Sequence, residues 1–318
     1  MLESRAACHG TPHAVCKGML PRRVAPGMTV LVTRRTQRRT HLLRPEQRMN
    51  DLFCYLLAVI AKRHGVLVHA AVLMSTHEHL VLTDVNGCLP RFLAELHRML
   101  ALCVKVLRKW EGEVWDGGKT SVVELRTPEA VIEKLAYLAA NPVAAGLVRT
   151  ASDWPGITTV PENLGRARIK ASRPELYLDP ENPIWPREAT LELAMPPRLR
   201  MTDDAVRSAV AAELADLEVA AREECRANGR TVLGAERLRK LSPFLRAKSW
   251  ESLRSLNPTF AVGRHQKQAF LAGVNAVRAF RLAYQQALSR WRAGIWGAVF
   301  PRETWLMRTL FRVRVAPA

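Results

Sequence analysis

Apolar positions recur with two periods along the first half of the chain, and the switches between them mark out its elements. MTVLVT at 28–33 reads as a first strand. Met49, Leu52, Phe53, Leu56, Leu57 and Ile60 fall at helical spacing, so a helix is predicted over about 45–64, ended by Gly65 as a cap. VLVHAAVLM at 66–74 and HLVLTD at 79–84 read as strands. A long amphipathic helix is predicted over about 89–110 and a short strand, SVVELR, over 121–126. Thr127-Pro128-Glu129 then opens another helix. Thr is a good N-cap, Pro suits the first turn, and Glu favours the positive end of the helix dipole. A residue before proline is pushed out of helical geometry, so Asn141-Pro142 predicts the end of that helix. The order β-α-β-β-α-β-α places the fold in the α+β class, as a ferredoxin-like antiparallel sheet with packed helices and one extra helix.

The rest of the chain has a different texture. Residues 1–26 carry Pro12, Pro21 and Pro26 without periodicity and read as a flexible leader. Residues 155–200 hold eight prolines and read as a linker or wrapping segment. From about 202 the pattern turns helical, with a long helix over about 265–293 whose Phe270, Leu271, Val274 and Val277 recur at helical spacing. The expected organisation is a leader 1–26, a sheet-bearing domain 27–154, a proline-rich linker 155–200 and a basic, mainly helical C-terminal domain 201–318.

Charge narrows the function. Among 318 residues, Lys plus Arg is 48 and Asp plus Glu 29, a formal net charge of +19. Such an excess implies an extended polyanionic partner, most simply nucleic acid. With 6% aromatic residues, a surface built mainly of stacking aromatics is not expected. Residues 226–318 hold 18 basic side chains against Glu236, Glu251 and Glu303. Arg278 and Arg281 lie on the long helix there and are candidate DNA contacts. So are Arg34, Arg35, Arg38 and Arg39, just after the first strand. No apolar run reaches the roughly 18–20 residues of a membrane helix. No secretory signal pattern is present, so a cytoplasmic, nucleoid-associated protein is expected. The six cysteines show no CxxC pair and read as reduced thiols. Cys8, His9, His13 and Cys16 are potential zinc ligands in a stretch too short and too poor in apolar residues to resemble a finger.

The chemistry concentrates in Met74-Ser-Thr-His-Glu-His-Leu80. His77 and His79, two apart on a strand, point to one side of the sheet and can share a divalent cation with positions left for a substrate oxygen. Val81 excludes a zincin HExxH, and no PCxxC follows as in a zinc deaminase. On the helix from 128, the apolar stripe is Val131, Ile132, Leu135, Leu138 and Ala139. Tyr137 leaves that stripe; its one-turn neighbours are Glu133, Lys134 and Asn141, so it sits on a polar face. Asn141 puts a side-chain oxygen on the same edge.

Tyr137-Leu-Ala-Ala-Asn-Pro-Val-Ala-Ala-Gly-Leu-Val148 resembles the YIHxNPVxAGLV signature of the REP-associated tyrosine transposases, one-tyrosine members of the HUH endonuclease superfamily. VLMST before His77-Glu78-His79 resembles their VLMPNHVHLL segment, Asp153-Trp154-Pro155 their DWPWSS, and Trp115 falls where a Trp often precedes the strand before the tyrosine helix. The resemblance spans about residues 28–156. It implies a transposase that cuts and rejoins single-stranded, hairpin-bearing DNA. His77 and His79 would hold Mg²⁺ or Mn²⁺ against the scissile phosphate, with Asn141 at the position of a third ligand. Tyr137 would attack phosphorus, giving a 5′-phosphotyrosine and a free 3′-OH. Monomer and homodimer both remain open.

Three departures stand out. Glu78 occupies the middle of the triplet, normally bulky and apolar, so it is expected at a solvated strand end, paired with an arginine, or in the metal site. Ser75 stands where Pro is common, and Ala139-Ala140 replace His plus an apolar residue. These leave as alternatives a catalytically degenerate DNA-binding protein derived from such a transposase, or a basic regulatory protein whose HxH is accidental.

Overall fold

The computed structural model describes residues 21–118, 120–248 and 258–317. The Cys8, His9, His13 and Cys16 set and most of the leader lie outside them. The chain divides into two compact units, 26–270 and 271–318 with the N-terminal 25 residues. This division does not follow the boundaries read from the sequence.

In the larger unit β1 (Met28–Arg35), α1 (Gln47–His64), β2 (Val66–Met74), β3 (His77–Asp84), α2 (Leu89–Arg108), β4 (Ser121–Leu125) and α3 (Pro128–Ala144) follow in the expected order. Then come β5 (Arg168–Ser172), β6 (Glu188–Glu192), α4 (Asp203–Ala227), α5 (Ala235–Lys240) and β7 (Phe260–Ala261). The main sheet runs β2-β3-β1-β4-β7. Its first four strands are antiparallel, but β7 joins β4 in parallel, so the sheet is mixed rather than wholly antiparallel. A chain returning from a distant helix can supply such a strand without a hairpin.

Alternation along the strands sorts two cores. Val30, Val32, Leu80 and Leu82 face α1 and α2, whereas Leu31, Val81 and Val123 face α3 and α4. In β2 the register shifts between Val68 and Ala70. Val68 therefore faces the first core and Ala70, Val72 and Met74 the second, as an extra residue in a strand requires.

His69 is that extra residue, and it is fully buried. Its Nδ1–H donates to the Ala194 carbonyl (2.8 Å), and Nε2 accepts from the Thr83 hydroxyl (2.7 Å). Burial holds its pKa down to about 4 from 6.5, with the Ala194 bond opposing. Only the neutral ring fits, so its contribution to stability is complete above about pH 6.5 and is lost as pH falls towards 4. The expected loss is about 3 kcal/mol. Urea midpoints at pH 7 and pH 4.5 should therefore draw closer together in His69→Gln than in the parent; identical pH dependence would contradict the assignment.

Three sequence expectations are revised. First, α1 is buried on more than one face: Cys54, Tyr55, Val59 and Ala61 are covered as well as its predicted stripe. The β5–β6 hairpin, from the segment read as a linker, packs on it, and the Tyr55 hydroxyl donates to the Pro186 carbonyl (2.6 Å). Second, α3 continues through Pro142 to Ala144. Proline removes a single donor near the helix end, while the Asn141 carbonyl still accepts from Ala145 and that of Pro142 from Leu147. Third, α6 (Lys267–Arg292), which from Leu271 on belongs to the smaller unit, buries Phe280, Tyr284, Ala287 and Trp291, whereas Phe270 and Leu271, read as part of its apolar stripe, are exposed. That unit adds β8 (Val299–Phe300), α7 (Leu306–Phe311) and β9 (Arg314–Val315). Among the described residues no helix is long and apolar enough to cross a membrane, and Cys54, Cys88, Cys103 and Cys225 are free thiols.

Candidate active site

His77 and His79 project from the start of β3 towards α3, one side of the strand being the α3 face. Their rings meet edge to face with centroids 4.7 Å apart. Thr33, opposite His79 across β1, hydrogen bonds its Nδ1 (2.7 Å), and Thr76 hydrogen bonds Nδ1 of His77 (3.0 Å). A hydroxyl on Nδ1 orients each ring. His79 is buried, and this above all holds its pKa well below 6.5. The neighbouring His77 and Arg35 charges act in the same direction, and the hydrogen bond that the His79 ring donates to Asn141 opposes them. The neutral imidazole so favoured is the form that binds a cation.

Tyr137 stands on α3 with its ring centroid 5.8 Å from that of His79, and it is 42% exposed. Thr127 caps this helix as its sequence indicates, its hydroxyl accepting from the Ala130 N–H (3.2 Å). Val131, Leu135, Leu138 and Ala139 seat the helix against the sheet and leave the tyrosine on the rim. The Asn141 side-chain amide donates to the Tyr137 carbonyl (2.8 Å). Four residues from two segments thus converge: His77, His79, Tyr137 and Asn141. Sequence reading did not single out Lys134, whose Nζ lies 5.3 Å from the Tyr137 ring centroid. Its signal was the three-residue spacing that stacks side chains on one helix edge.

Glu78 does not lie at a solvated end or beside the His77–His79 pair, and its hydrogen-bond partner is not an arginine. Alternation sends it to the opposite sheet face, under α2, where it is fully buried and accepts from Nε2 of buried His97 (2.6 Å). Arg34 pairs opposite it across β1 and supplies a nearby positive charge. Oε2 of Glu78 has no hydrogen-bond partner among the described residues. Trp115 packs edge-on to His97 (5.3 Å) and donates its indole N–H to the His97 carbonyl (2.7 Å).

The arginines divide in role. Arg34 is half-buried, bonds the Gly118 carbonyl and Thr120 hydroxyl, and lies over Trp115. Burial lowers its pKa despite Glu78 and Asp116. Arg35 and Arg38 are exposed, and Arg39 is half-buried. Arg38 and Arg39 both adopt left-handed backbone, φ 51° and 53°. Two such residues in succession, neither Gly nor Asn, cost on the order of 1 kcal/mol or more each and mark a segment held by its surroundings. Arg278 is exposed and Arg281 half-buried, both in the smaller unit.

Among the described residues no group of three or more His, Cys, Asp or Glu could hold a metal ion; the set here is two imidazoles and an amide. No family profile and no curated protein matches the chain. Among solved structures, a REP-associated tyrosine transposase bound to a REP hairpin is 19% identical, with a TM-score of 0.39, over 46% of this chain and 84% of that one. A Deinococcus radiodurans R1 protein is 18% identical, with a TM-score of 0.26, over 39% of this chain and 85% of that one. Both neighbours are described as transposases.

Proposed function

We propose that this chain is a metal-dependent single-strand DNA endonuclease and strand transferase of the REP-associated tyrosine transposase kind, with Tyr137 as nucleophile. One observation carries the reading: a half-exposed tyrosine on one element stands beside a histidine pair on another, at 5.8 Å between ring centroids. The β2-β3-β1-β4 order fits the ferredoxin-like arrangement of that superfamily.

His77 and His79, through Nε2, and Asn141, through its amide oxygen, would hold Mg²⁺ or Mn²⁺. The donor set fits a divalent ion, since imidazole and carbonyl ligands leave positions for water or phosphate oxygens. Bound there, the ion would polarise the scissile phosphate and lower the cost of the developing charge. The chain's own groups do the rest. The phenol oxygen of Tyr137 bonds to phosphorus and loses its proton to solvent. The bond from phosphorus to the 3′ oxygen breaks, and that oxygen takes up a proton. The products are a 5′-phosphotyrosine and a 3′-OH, and attack by another 3′-OH reverses the step. Lys134 keeps a positive charge at the phenol face. Arg35, Arg38 and Arg39 supply phosphate contacts that give affinity and salt dependence.

Incubation with a labelled hairpin oligonucleotide and Mn²⁺ tests the proposal. A covalent adduct that peptide mapping assigns to Tyr137 supports it. Tight binding with no adduct would instead identify a degenerate DNA-binding protein. His77→Ala and His79→Ala should each weaken Mn²⁺ binding, measured by calorimetry without DNA, by about tenfold or more. Unchanged affinity would make the HxH accidental.

A further inference from the structure

The loop after β1 is held by a segment far away in the chain. His41 N–H donates to the Leu245 carbonyl (2.8 Å) and Ala247 N–H to the Arg39 carbonyl (3.0 Å). Thr40 and Arg246 pair as an antiparallel bridge. The Arg44 guanidinium donates to the Leu241 carbonyl (2.7 Å), 197 positions away. The arginine loop and residues 241–248 therefore form one surface.

On that surface Phe244 stacks on Trp110, at the end of α2, with centroids 5.9 Å apart and planes 15° from parallel. Trp110 is half-buried, and its indole N–H is taken by the Glu113 carbonyl (3.1 Å). Phe244 is 51% exposed, and Leu245 beside it is also exposed. A core aromatic would turn inward; this one is propped from below and shows its ring to solvent. Exposed cationic side chains lie on the same stretches of chain: Arg38 on the loop, Lys109 before Trp110, and Arg246 and Lys248 on the segment itself. From 237 to 248 the chain holds five Lys or Arg and no acid. Glu111 and Glu113, after Trp110, are the nearest acids in sequence to the aromatic pair.

We propose that Phe244, backed by Trp110 and flanked by Arg38, Arg246 and Lys248, is a stacking platform for an unpaired base of single-stranded DNA. Every base has a flat face that stacks on an aromatic ring once it is free of a duplex, and cations beside the ring take the adjoining phosphates. A duplex keeps its bases stacked on one another, so the platform discriminates strandedness rather than sequence. Its place on the segment hydrogen-bonded to the loop of Arg38 and Arg39 makes it a second contact for a strand whose cleavage is assigned to Tyr137. The inference takes only the identity of the polymer from the proposed function.

The test uses the full chain as Tyr137→Phe in EDTA, so neither cleavage nor metal enters. Anisotropy of a labelled oligothymidylate and of a blunt duplex is measured for this protein and for variants at Phe244. Phe244→Ala should weaken oligothymidylate binding about tenfold and leave duplex binding unchanged, and Phe244→Trp should hold single-strand affinity within about twofold. An Arg246→Ala, Lys248→Ala double variant should lower the salt dependence of single-strand binding by about one to two units of log–log slope. Oligothymidylate affinity unchanged in Phe244→Ala, or an equal loss on duplex, would overturn the platform. Failure of the adduct assay leaves this result standing, and failure here leaves the adduct assay standing.

Discussion

Tyr137→Phe should form no covalent adduct with hairpin DNA and yet bind that DNA within about twofold of the parent. The substitution removes one oxygen and keeps the ring that meets His79 edge-on. Because the side chain is on the rim, stability should not change. The loss of strand cleavage should be on the order of 10⁴-fold or more, the scale seen when a nucleophile is deleted and binding is left intact. Gel electrophoresis under denaturing conditions separates the adduct from free strand. An adduct persisting in the variant would move the nucleophile elsewhere, and the role assigned to α3 would go with it.

The second large effect lies on the other face of β3, the strand that carries His77 and His79. His97→Ala leaves the Glu78 carboxylate buried with both oxygens unpartnered, since Oε1 loses its donor and Oε2 has none among the described residues. Stranding one member of a buried polar pair costs about 3–5 kcal/mol. Replacing both members by leucine fills the space with apolar atoms and should be close to neutral, or stabilising by about 1–4 kcal/mol. Urea denaturation of the two variants checks this. A loss below about 1 kcal/mol in His97→Ala would mean that water or rearrangement already serves the carboxylate. If the double variant also keeps its adduct yield, Glu78 holds the strand without acting in the site.

Much of this arrangement is legible in the chain, and the illegible parts share a cause. Alternation in HEHLVL is a local property, so it placed His77 and His79 on one face and, read through, sent Glu78 to the other. The partner of Glu78 could not be read, because His97 meets it only through the way α2 lies on the sheet. The same holds for Thr33, which reaches His79 through the register between β1 and β3. The exposed face on which Tyr137 sits was legible from helical spacing alone, and so were the Thr127 cap and the Gly65 stop, whose φ of 64° suits glycine. The β5–β6 hairpin was not, since most of its positions are exposed and only Ala171 and Leu191 are buried, too sparse a pattern beside so many prolines. The two-residue β7 has no period to detect. Pro142 misled because its effect depends on how near the helix end it falls.

The chain flanking the β5–β6 hairpin and the short β7 have a joint consequence. The outer amides of β2 are met by the passing chain: Leu73 N–H donates to the Ile157 carbonyl (2.9 Å) and the Ala71 carbonyl accepts from Thr159 (3.0 Å), while the Val68 carbonyl accepts from Ala194 (2.8 Å). On the opposite flank Glu124 and Arg126 donate to the carbonyls of Thr259 and Ala261 (3.0 Å each). A strand edge left bare is a template on which another chain can zip. Here, among the described residues, both rims of the β2-β3-β1-β4 sheet are met by the molecule's own backbone, which shortens the row of amides a sibling copy could extend.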